Sequence, residues 1–137
     1  MDHKRSAGEG DLALALRARH ASERAIAPYS NFKVGAALKT RDGKIYEAGN
    51  IESSSYGLTL CAERVALFKA LSEGERHFEA MAIAAQTDEF CPPCGACRQV
   101  LWDYAPALEI ILMNNRGDVK KFQLSELLPE AFDKRLL

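Results

Sequence analysis

The sequence predicts an α/β domain in which three layers, α/β/α, are built around a mixed sheet of about five strands. A β-hairpin signal is followed by alternating helix, strand, helix and strand patterns, which is typical of a layered α/β domain. The link between the last two strands is too short for a helical crossover, so these strands are expected to pair antiparallel. Because the 137 residues contain no linker-like segment, residues 1–137 are interpreted as one domain.

The chain is expected to begin with a polar, loose terminus over residues 1–10. Leucine and alanine then recur at roughly helical spacing, and they predict a helix over residues 11–25. Asp11 is the candidate N-cap of this helix, because its short acidic side chain can accept hydrogen bonds from the first backbone N–H groups. Pro28 is expected to end the helix, since proline cannot continue the hydrogen-bond ladder.

The hairpin is predicted from a buried-strand run at residues 34–38, a turn signal at residues 41–43 and a return strand over residues 44–48. Gly35 and the neighbouring alanines have little or no side chain. One face of the hairpin is therefore thin, and another part of the molecule can approach it closely.

The second half of the chain supplies the alternating elements, after a polar, irregular segment over residues 50–60. The predicted elements are a helix over residues 61–72, a strand over 79–85, a helix over 95–104, strands over 108–113 and 119–123, and a helical turn over 125–128. Glycine and proline mark the ends of the two helices, at Gly74 and Pro106.

Composition and charge argue against several classes of protein. The formal net charge of -1 argues against nucleic acid as the main partner, because phosphate binding requires a basic surface. No apolar run approaches the roughly 20 residues of a membrane span, and the polar start lacks the apolar core of a signal peptide. Four cysteines, three of them within residues 91–97, suit metal ligands in a reducing compartment better than disulfides. We therefore expect a cytoplasmic protein.

Two short motifs are the candidates for chemistry. Cys61 is followed two residues later by Glu63, and Cys94 and Cys97 form a Pro-Cys-x-x-Cys motif further along the chain. A structural zinc usually has four protein ligands, whereas a catalytic zinc keeps three and leaves a position for water. The spacing therefore predicts a catalytic zinc site with three thiolate ligands and Glu63 as general acid and base. Both motifs fall at predicted helix N-termini, where the helix dipole favours a thiolate over a thiol.

Alternatives remain open for these residues. Isolated cysteines are often small buried hydrophobic residues, and a glutamate near a helix N-terminus is common on electrostatic grounds alone. Cys91 and Cys94 also form a Cys-x-x-Cys pair, so four thiolates could close the site into a structural zinc. The pair Cys94 and Cys97 is preferred, because Cys91 lies two prolines away from the helix and lacks its dipole. A redox dithiol is a further alternative.

Two arginines, Arg64 and Arg98, directly follow the ligand motifs. Three thiolates and one zinc ion leave a net negative charge, which weakens the metal as a Lewis acid. Hydrogen-bond donors near the sulfur atoms would offset this charge, and Arg64 is the first candidate for that role. Arg98 is either a second donor of this kind or a solvated helix arginine.

Longer stretches around these motifs occur in a recognisable order. They are Pro-Tyr-Ser-Asn-Phe-Lys-Val-Gly-Ala-Ala-Leu at residues 28–38, Asn-Ile-Glu at 50–52, Cys-Ala-Glu-Arg at 61–64, Pro-Cys-Gly-Ala-Cys-Arg-Gln at 93–99 and Glu-Leu-Leu-Pro-Glu-Ala-Phe at 126–132. A His or Cys followed by x-Glu and then by Pro-Cys-x-x-Cys is the signature of zinc deaminases that act on nucleobases. Over roughly residues 12–132, the chain resembles the small homotetrameric, zinc-dependent cytidine deaminases.

The resemblance implies a cytidine-deaminase-like fold and a role for each matching residue of the metal site. Zinc would be bound by Cys61, Cys94 and Cys97, and Glu63 would carry the proton. Arg64 would donate hydrogen bonds to the ligand thiolates.

The resemblance also implies a set of substrate contacts. Phe32 would pack against the pyrimidine, Asn50 and Glu52 would hydrogen-bond the ribose hydroxyl, and the backbone around Ala62 would bind the base. Phe132 would close the pocket of a neighbouring subunit in a homotetramer. Without the family, an asparagine and a carboxylate also suit sugar hydroxyls, but the preferred interpretation is that they are ordinary loop residues, and the phenylalanine near the hairpin would be assigned to the core.

The implied function is hydrolytic deamination of free cytidine and deoxycytidine to uridine and deoxyuridine, a step of pyrimidine salvage. One alternative is a deaminase of a related nucleoside such as a nucleoside antibiotic, or of a base in RNA, although the near-neutral charge argues against RNA. Another alternative, from a different class, is a non-catalytic zinc-stabilised binding module with four sulfur ligands. Two residues depart from the family: Ser53 replaces a frequent asparagine, and Cys91 lies outside the motif.

Overall fold

The computed structural model of the chain describes residues 7–137, which form a five-stranded mixed sheet flanked by helices. Its elements are, in chain order, α1 (Glu9–Ser22), β1 (Val34–Thr40), β2 (Ile45–Gly49), α2 (Ala62–Ser72), β3 (Phe78–Ala85), α3 (Gly95–Tyr104), β4 (Glu109–Met113), β5 (Val119–Gln123) and α4 (Leu124–Leu127). The strand order is β2-β1-β3-β4-β5, and only the β3–β4 pair is parallel. The α/β class, the mixed sheet and the antiparallel pairing of the last two strands are confirmed.

Successive strand residues point to opposite sides of the sheet, and helices cover both sides, so the sheet is buried on both faces. In β3, Met81 and Ile83 join the core that includes buried residues of α2 and α3, whereas Ala82 joins the core beneath α1. The buried residues of α1, among them Leu14 and Ala18, pack on this alanine-rich face. Burial on both faces explains why the strands are near-continuous apolar runs in the sequence. The three-layer arrangement expected from the sequence is therefore confirmed.

The first helix differs from the sequence-based prediction at both ends, since residues 11–25 were expected to be helical. Gly8 is the N-cap, and Asp11 is the third helical residue, whose carboxylate accepts a hydrogen bond from the Gly8 backbone N–H at 3.1 Å. The assignment of Asp11 as N-cap is wrong, because the carboxylate caps the helix from within its first turn. The loose terminus expected over residues 1–10 is wrong for its last two residues, which are helical; residues 1–6 lie outside the described part of the chain.

The remaining predicted elements are confirmed, and their bounds differ by two residues or fewer. The irregular segment over residues 50–60 contains one short 3-10 helix, Tyr56–Leu58. The element that approaches the thin face of the hairpin is α1: a Cβ on Gly35 would lie 1.9 Å from the carbonyl oxygen of Ala18. Across residues 7–137, none of the helices combines the length and the apolar character needed to span a membrane.

Candidate metal centre

Three thiols meet where α2 and α3 begin. Cys61 is the N-cap of α2, Cys94 is the N-cap of α3, and Cys97 lies in the first turn of α3. The Sγ atoms of Cys61 and Cys94 are 3.7 Å apart, those of Cys94 and Cys97 are 3.5 Å apart, and all three lie within 4.8 Å of one another. A tetrahedral zinc with Zn–S bonds of about 2.3 Å separates its sulfur atoms by about 3.8 Å. The three thiols are therefore spaced to bind one tetrahedral metal ion.

The surroundings of the thiols favour negative charge on sulfur. Both helix N-termini point at the group, and their dipoles stabilise thiolates. The hydrogen bond between Cys61 and Cys97 lowers the pKa of Cys61 to about 5, with help from the Arg64 guanidinium. The same bond and burial raise the pKa of Cys97, which keeps its proton in the metal-free chain. The site therefore favours the thiolate form of Cys61.

Cys91 lies outside this group of sulfur atoms. In the described part of the chain, the set of ligand atoms close enough to share a metal ion consists of Cys61, Cys94 and Cys97. The Cys91 side chain packs against the hydrophobic core, and burial raises its pKa to about 11. A buried neutral thiol behaves as a small apolar side chain. The geometry therefore favours three thiolate ligands over four.

Glu63 supplies a buried carboxyl group two residues after the proposed ligand Cys61, in the first turn of α2. It is the second residue of α2, and only 4% of its surface is exposed. Burial, assisted by the negative charge of Cys61, raises the pKa of Glu63 to about 7. A carboxyl group with this pKa can both accept and donate a proton at neutral pH, as a general acid and base must.

The two arginines after the ligand motifs have different roles. Arg64 donates through Nη2 to the Cys61 sulfur at 3.6 Å and to the Thr59 carbonyl at 3.3 Å. This contact agrees with its expected role as a donor to a ligand thiolate. Arg98 donates to the carbonyl oxygens of Pro93 and Leu127 instead. Arg98 is therefore not a solvated arginine, because its guanidinium is half-buried and hydrogen-bonded. Its side-chain hydrogen bonds go to carbonyl oxygens, and not to a ligand sulfur as the other expectation had it.

Asn50 and Glu52 organise the loop that carries Phe32. The Asn50 side chain accepts from the Val34 N–H and donates to the Phe32 carbonyl, each at 2.9 Å. The Glu52 carboxylate accepts from the backbone N–H groups of Tyr29 and Ser30, at 3.0 and 3.1 Å, and from the Ser30 hydroxyl. These bonds make both residues structural supports of the loop, which sequence reasoning missed because their partners are 16 to 23 residues away in the chain.

The remaining expected site residues are Phe32, Ala62 and Phe132. The Phe32 side chain is 41% exposed, so it is not a core residue. Ala62, the first residue of α2, is fully buried, and only its backbone can face the site. Phe132 is 54% exposed, and its carbonyl oxygen accepts a hydrogen bond from Gln99 of α3 at 2.8 Å. Within the described residues, the group at the metal centre thus comprises Cys61, Ala62, Glu63, Arg64, Cys94 and Cys97.

Comparisons with known proteins agree with this geometry. The model of the family described as "Cytidine and deoxycytidylate deaminase zinc-binding region" matches residues 9–113. The cytidine deaminase of Halalkalibacterium halodurans is 52% identical over 120 residues, which cover 87% of this chain and 91% of that protein. The cytidine deaminase of Sporosarcina psychrophila is 47% identical over 122 residues, covering 88% of this chain and 90% of the relative.

The solved structures lead to the same family. The crystal structure of cytidine deaminase from Burkholderia pseudomallei superposes with a TM-score of 0.86 at 50% sequence identity, and the match covers 92% of this chain and all of that one. The fold, the three-thiol centre with its buried carboxyl and the match over residues 9–113 together establish that the chain belongs to the cytidine deaminase family.

Proposed function

We propose that the chain is a zinc-dependent enzyme that hydrolyses free cytidine and deoxycytidine to uridine and deoxyuridine, with release of ammonia. The observation that supports this most directly is the combination at one place of three thiols spaced for a single metal ion and a buried carboxyl whose pKa is about 7. Cys61, Cys94 and Cys97 are the proposed zinc ligands, and their sulfur-rich set suits zinc. The reaction would serve pyrimidine salvage.

Glu63 is the proposed proton carrier. When bound, zinc supplies the Lewis acid that lets water act as a nucleophile near neutral pH. Glu63 takes one proton from this water and delivers it to N3 of the pyrimidine as the oxygen adds at C4. The same carboxyl then moves the second proton to the departing amino group, which leaves as ammonia. Because its pKa lies near 7, the carboxyl can perform both transfers without a large energetic penalty.

The proposed substrate contacts come from three segments: the loop before β1, the residues that follow β2, and the start of α2. The exposed ring of Phe32 is available to pack on a pyrimidine. Glu52 keeps free acceptor capacity on its carboxylate beyond the bonds to the loop, and that capacity suits a ribose hydroxyl. Asn50 holds the Phe32 carbonyl, and we propose that it contacts the same hydroxyl. The backbone at Ala62 remains the proposed contact to the base.

We further propose a homotetramer in which Phe132 of one subunit completes the pocket of a neighbour. The 54% exposure of Phe132 leaves its ring available for this contact with a neighbouring subunit. Unpaired cysteines support a reducing compartment, the cytoplasm. The net charge of -1 supports a free nucleoside rather than a nucleic acid as substrate.

The test is ammonia release from cytidine and deoxycytidine by the purified protein and by Glu63→Gln. We expect the variant to keep its zinc and to lose about 10³-fold or more in turnover, because one group serves both proton transfers. Glu9→Gln is the matched control, since Glu9 also lies in the first turn of a helix but is exposed. Its turnover should equal that of the parent chain. Near-normal turnover of Glu63→Gln would remove Glu63 from the mechanism.

The same assay separates the alternative functions. Deamination of cytosine in an oligonucleotide, or of a nucleoside antibiotic in preference to cytidine, would contradict the proposed substrate. X-ray absorption at the zinc edge separates an enzyme from a binding module: three sulfur neighbours and one oxygen are expected, whereas four sulfur neighbours would indicate a structural site.

A further inference from the structure

Arg98 of α3 makes two hydrogen bonds that its position in the sequence did not reveal. Its Nε donates to the Pro93 carbonyl oxygen at 2.7 Å, and its Nη1 donates to the Leu127 carbonyl oxygen at 2.9 Å. The side chain is half-buried, and Pro93 is buried. A guanidinium is planar and presents several donors in a fixed arrangement, so it can hold two carbonyl groups at a set distance.

The first of these bonds acts on the backbone of Cys94. The Pro93 carbonyl belongs to the peptide group that leads into Cys94. The peptide group that follows Cys94 is held by the same residue, because the Arg98 backbone N–H donates to the Cys94 carbonyl at 2.9 Å. The Arg98 side chain thereby holds the peptide plane before the Cys94 Cα, and the first backbone bond of α3 holds the plane after it; φ is -65° and ψ is 165° at Cys94. These two angles set the direction of the Cys94 Cα–Cβ bond, from which the thiol extends.

The second bond attaches this region to α4. Leu127 is the last residue of α4, and the final carbonyl groups of a helix have no partner within it. Arg98 satisfies one of them and so holds the loop before α3 against a second element. The irregular segment between β3 and α3 is thus linked through the Arg98 side chain both to α3 and to α4.

We propose that Arg98 is a positioning residue that holds the Cys94 backbone in its metal-binding conformation. Arg64 acts differently, because it donates directly to the Cys61 sulfur. The proposal rests on the proposed function in that it requires a metal ion at the three thiols. Lysine cannot replace Arg98 fully, since its single ammonium cannot reproduce the forked contact with both carbonyl groups.

The test compares Arg98→Met and Arg98→Lys with the parent chain, each loaded with zinc and then with cobalt(II). Transfer of zinc to a coloured chelator gives its release rate, and the cobalt(II) visible spectrum reports the number and geometry of the thiolate ligands. We expect Arg98→Met to release zinc about 10–100-fold faster, as is typical when the support of a ligand is removed. Its cobalt(II) thiolate bands should shift or weaken, and Arg98→Lys should lie between the two.

Arg76→Met is the matched control. Arg76 also donates to two carbonyl oxygens, those of Leu71 at 2.9 Å and Glu75 at 2.7 Å, but it is exposed at the end of α2, away from the thiols. This variant should keep both the parent zinc release rate and the parent cobalt(II) spectrum. Thermal unfolding of the zinc-free proteins measures any general loss of stability, which by itself does not change the spectrum of bound cobalt(II).

Parent-like zinc release and an unchanged cobalt(II) spectrum in Arg98→Met would overturn the positioning role. If Arg98→Met does not fold, the same result in Arg98→Lys would overturn it. A parent chain that binds zinc without deaminating cytidine would contradict the proposed function alone, and the release rates would still decide the role of Arg98. A parent chain that binds no zinc would overturn both.

Discussion

Glu63 lies where a charged carboxylate is unfavourable, and its role depends on that environment. Burial disfavours the ionised form, which raises its pKa to about 7 and lets it exchange protons near neutral pH. The same burial reduces the stability of the fold whenever the group is ionised. Residues at functional sites commonly lower stability in this way.

We therefore predict that Glu63→Gln stabilises the zinc-free protein in a pH-dependent manner. The folded chain keeps the Glu63 proton up to about pH 7, whereas the unfolded chain releases it near 4.5. At this group, folding takes up a proton between these values, so the contribution of Glu63 to the free energy of unfolding falls as the pH rises through this window. Glutamine does not titrate. The free energy of unfolding of Glu63→Gln should exceed that of the parent by little at pH 4 and by roughly 3 kcal/mol at pH 8, at about 1.4 kcal/mol per pKa unit.

Urea unfolding of both zinc-free proteins at several pH values measures this difference. Glu9→Gln serves as the control, because Glu9 is an exposed carboxyl group in the first turn of a helix. A stability difference between Glu63→Gln and the parent that is the same at pH 4 and pH 8 would contradict the burial argument.

Cys91 and Cys94 are expected to respond differently to substitution by serine. Cys91→Ser should bind as much zinc as the parent and keep its activity within about twofold, since three ligands suffice for a catalytic site. Cys94→Ser should lose most of its zinc and its activity, because a hydroxyl is a poor substitute for a thiolate at this metal. Zinc content by atomic absorption and ammonia release measure both. Loss of zinc from Cys91→Ser would identify it as a fourth ligand.

At the residue scale, sequence reasoning identified groups that are close in the chain and missed those that meet only in the fold. Cys94 and Cys97 are separated by one helical turn, so their spacing indicates a shared ligand role. Asn50 and Glu52 were interpreted as substrate contacts or as ordinary loop residues, and not as supports, because the loop they hold lies in a separate segment. The role of Arg98 depends on Leu127, 29 residues later, and no local pattern indicates that contact.

At the element scale, the packing of α1 on the sheet depends on the absence of a side chain at Gly35. A Cβ there would meet the Ala18 carbonyl oxygen at 1.9 Å and the Ser22 backbone nitrogen at 2.4 Å. Backbone atoms cannot move aside as a flexible side chain can. The sequence indicated a thin face but not its partner, because hydrophobic periodicity does not specify which element covers which face.

Gly35→Ala is therefore expected to destabilise the protein by about 3 kcal/mol or more, since α1 must move away from the sheet. Gly10→Ala is the matched control. Gly10 lies in α1 with no atom within 4 Å of an added Cβ, and alanine there should be neutral or stabilise by up to about 1 kcal/mol. Urea unfolding of the three proteins tests this. Equal stability of Gly35→Ala and the parent would show that α1 adapts without cost.

The ends of the elements were harder to predict than the elements themselves. Apolar runs determine the strands, and these were placed within two residues. The start of the first helix was misplaced because it depends on the reciprocal bond between Asp11 and the Gly8 backbone. A carboxylate in the first turn can be the cap or its partner, and the sequence does not distinguish them.

At the scale of the whole molecule, the sheet order could not be derived from local patterns. The hairpin lies at one side of the sheet, and β1 pairs with β3 as well as with β2. This pairing brings α2, which follows the hairpin, and α3, which follows β3, onto the same face. The first turns of both helices therefore meet and bring the two thiol motifs together, although 33 residues separate Cys61 from Cys94.

A homotetramer with shared pockets predicts complementation between two defective variants. Phe132→Ala should lose roughly tenfold in kcat/KM through the missing aromatic contact, and Glu63→Gln should be inactive. In a mixed assembly, a Phe132→Ala subunit keeps its own Glu63 and can receive Phe132 from a Glu63→Gln neighbour. Random mixing would restore about a quarter of the pockets.

Co-expression of the two variants, followed by sedimentation and ammonia release, measures this recovery. Glu63→Gln mixed with Cys94→Ser is the control and should recover nothing, since every pocket then lacks either the carboxyl or a ligand. A fully active monomer, or a mixture no more active than its components, would contradict the shared pocket.

The tail that carries Phe132 is attached to α3 by Trp102, whose indole N–H donates to the Asp133 carboxylate at 3.1 Å. Trp102 is also the single tryptophan of the chain. Selectively excited tryptophan fluorescence of this protein therefore originates beside the tail, so its emission wavelength reports the docking of the last residues without an added label. The indole that holds the tail is therefore also its fluorescent reporter.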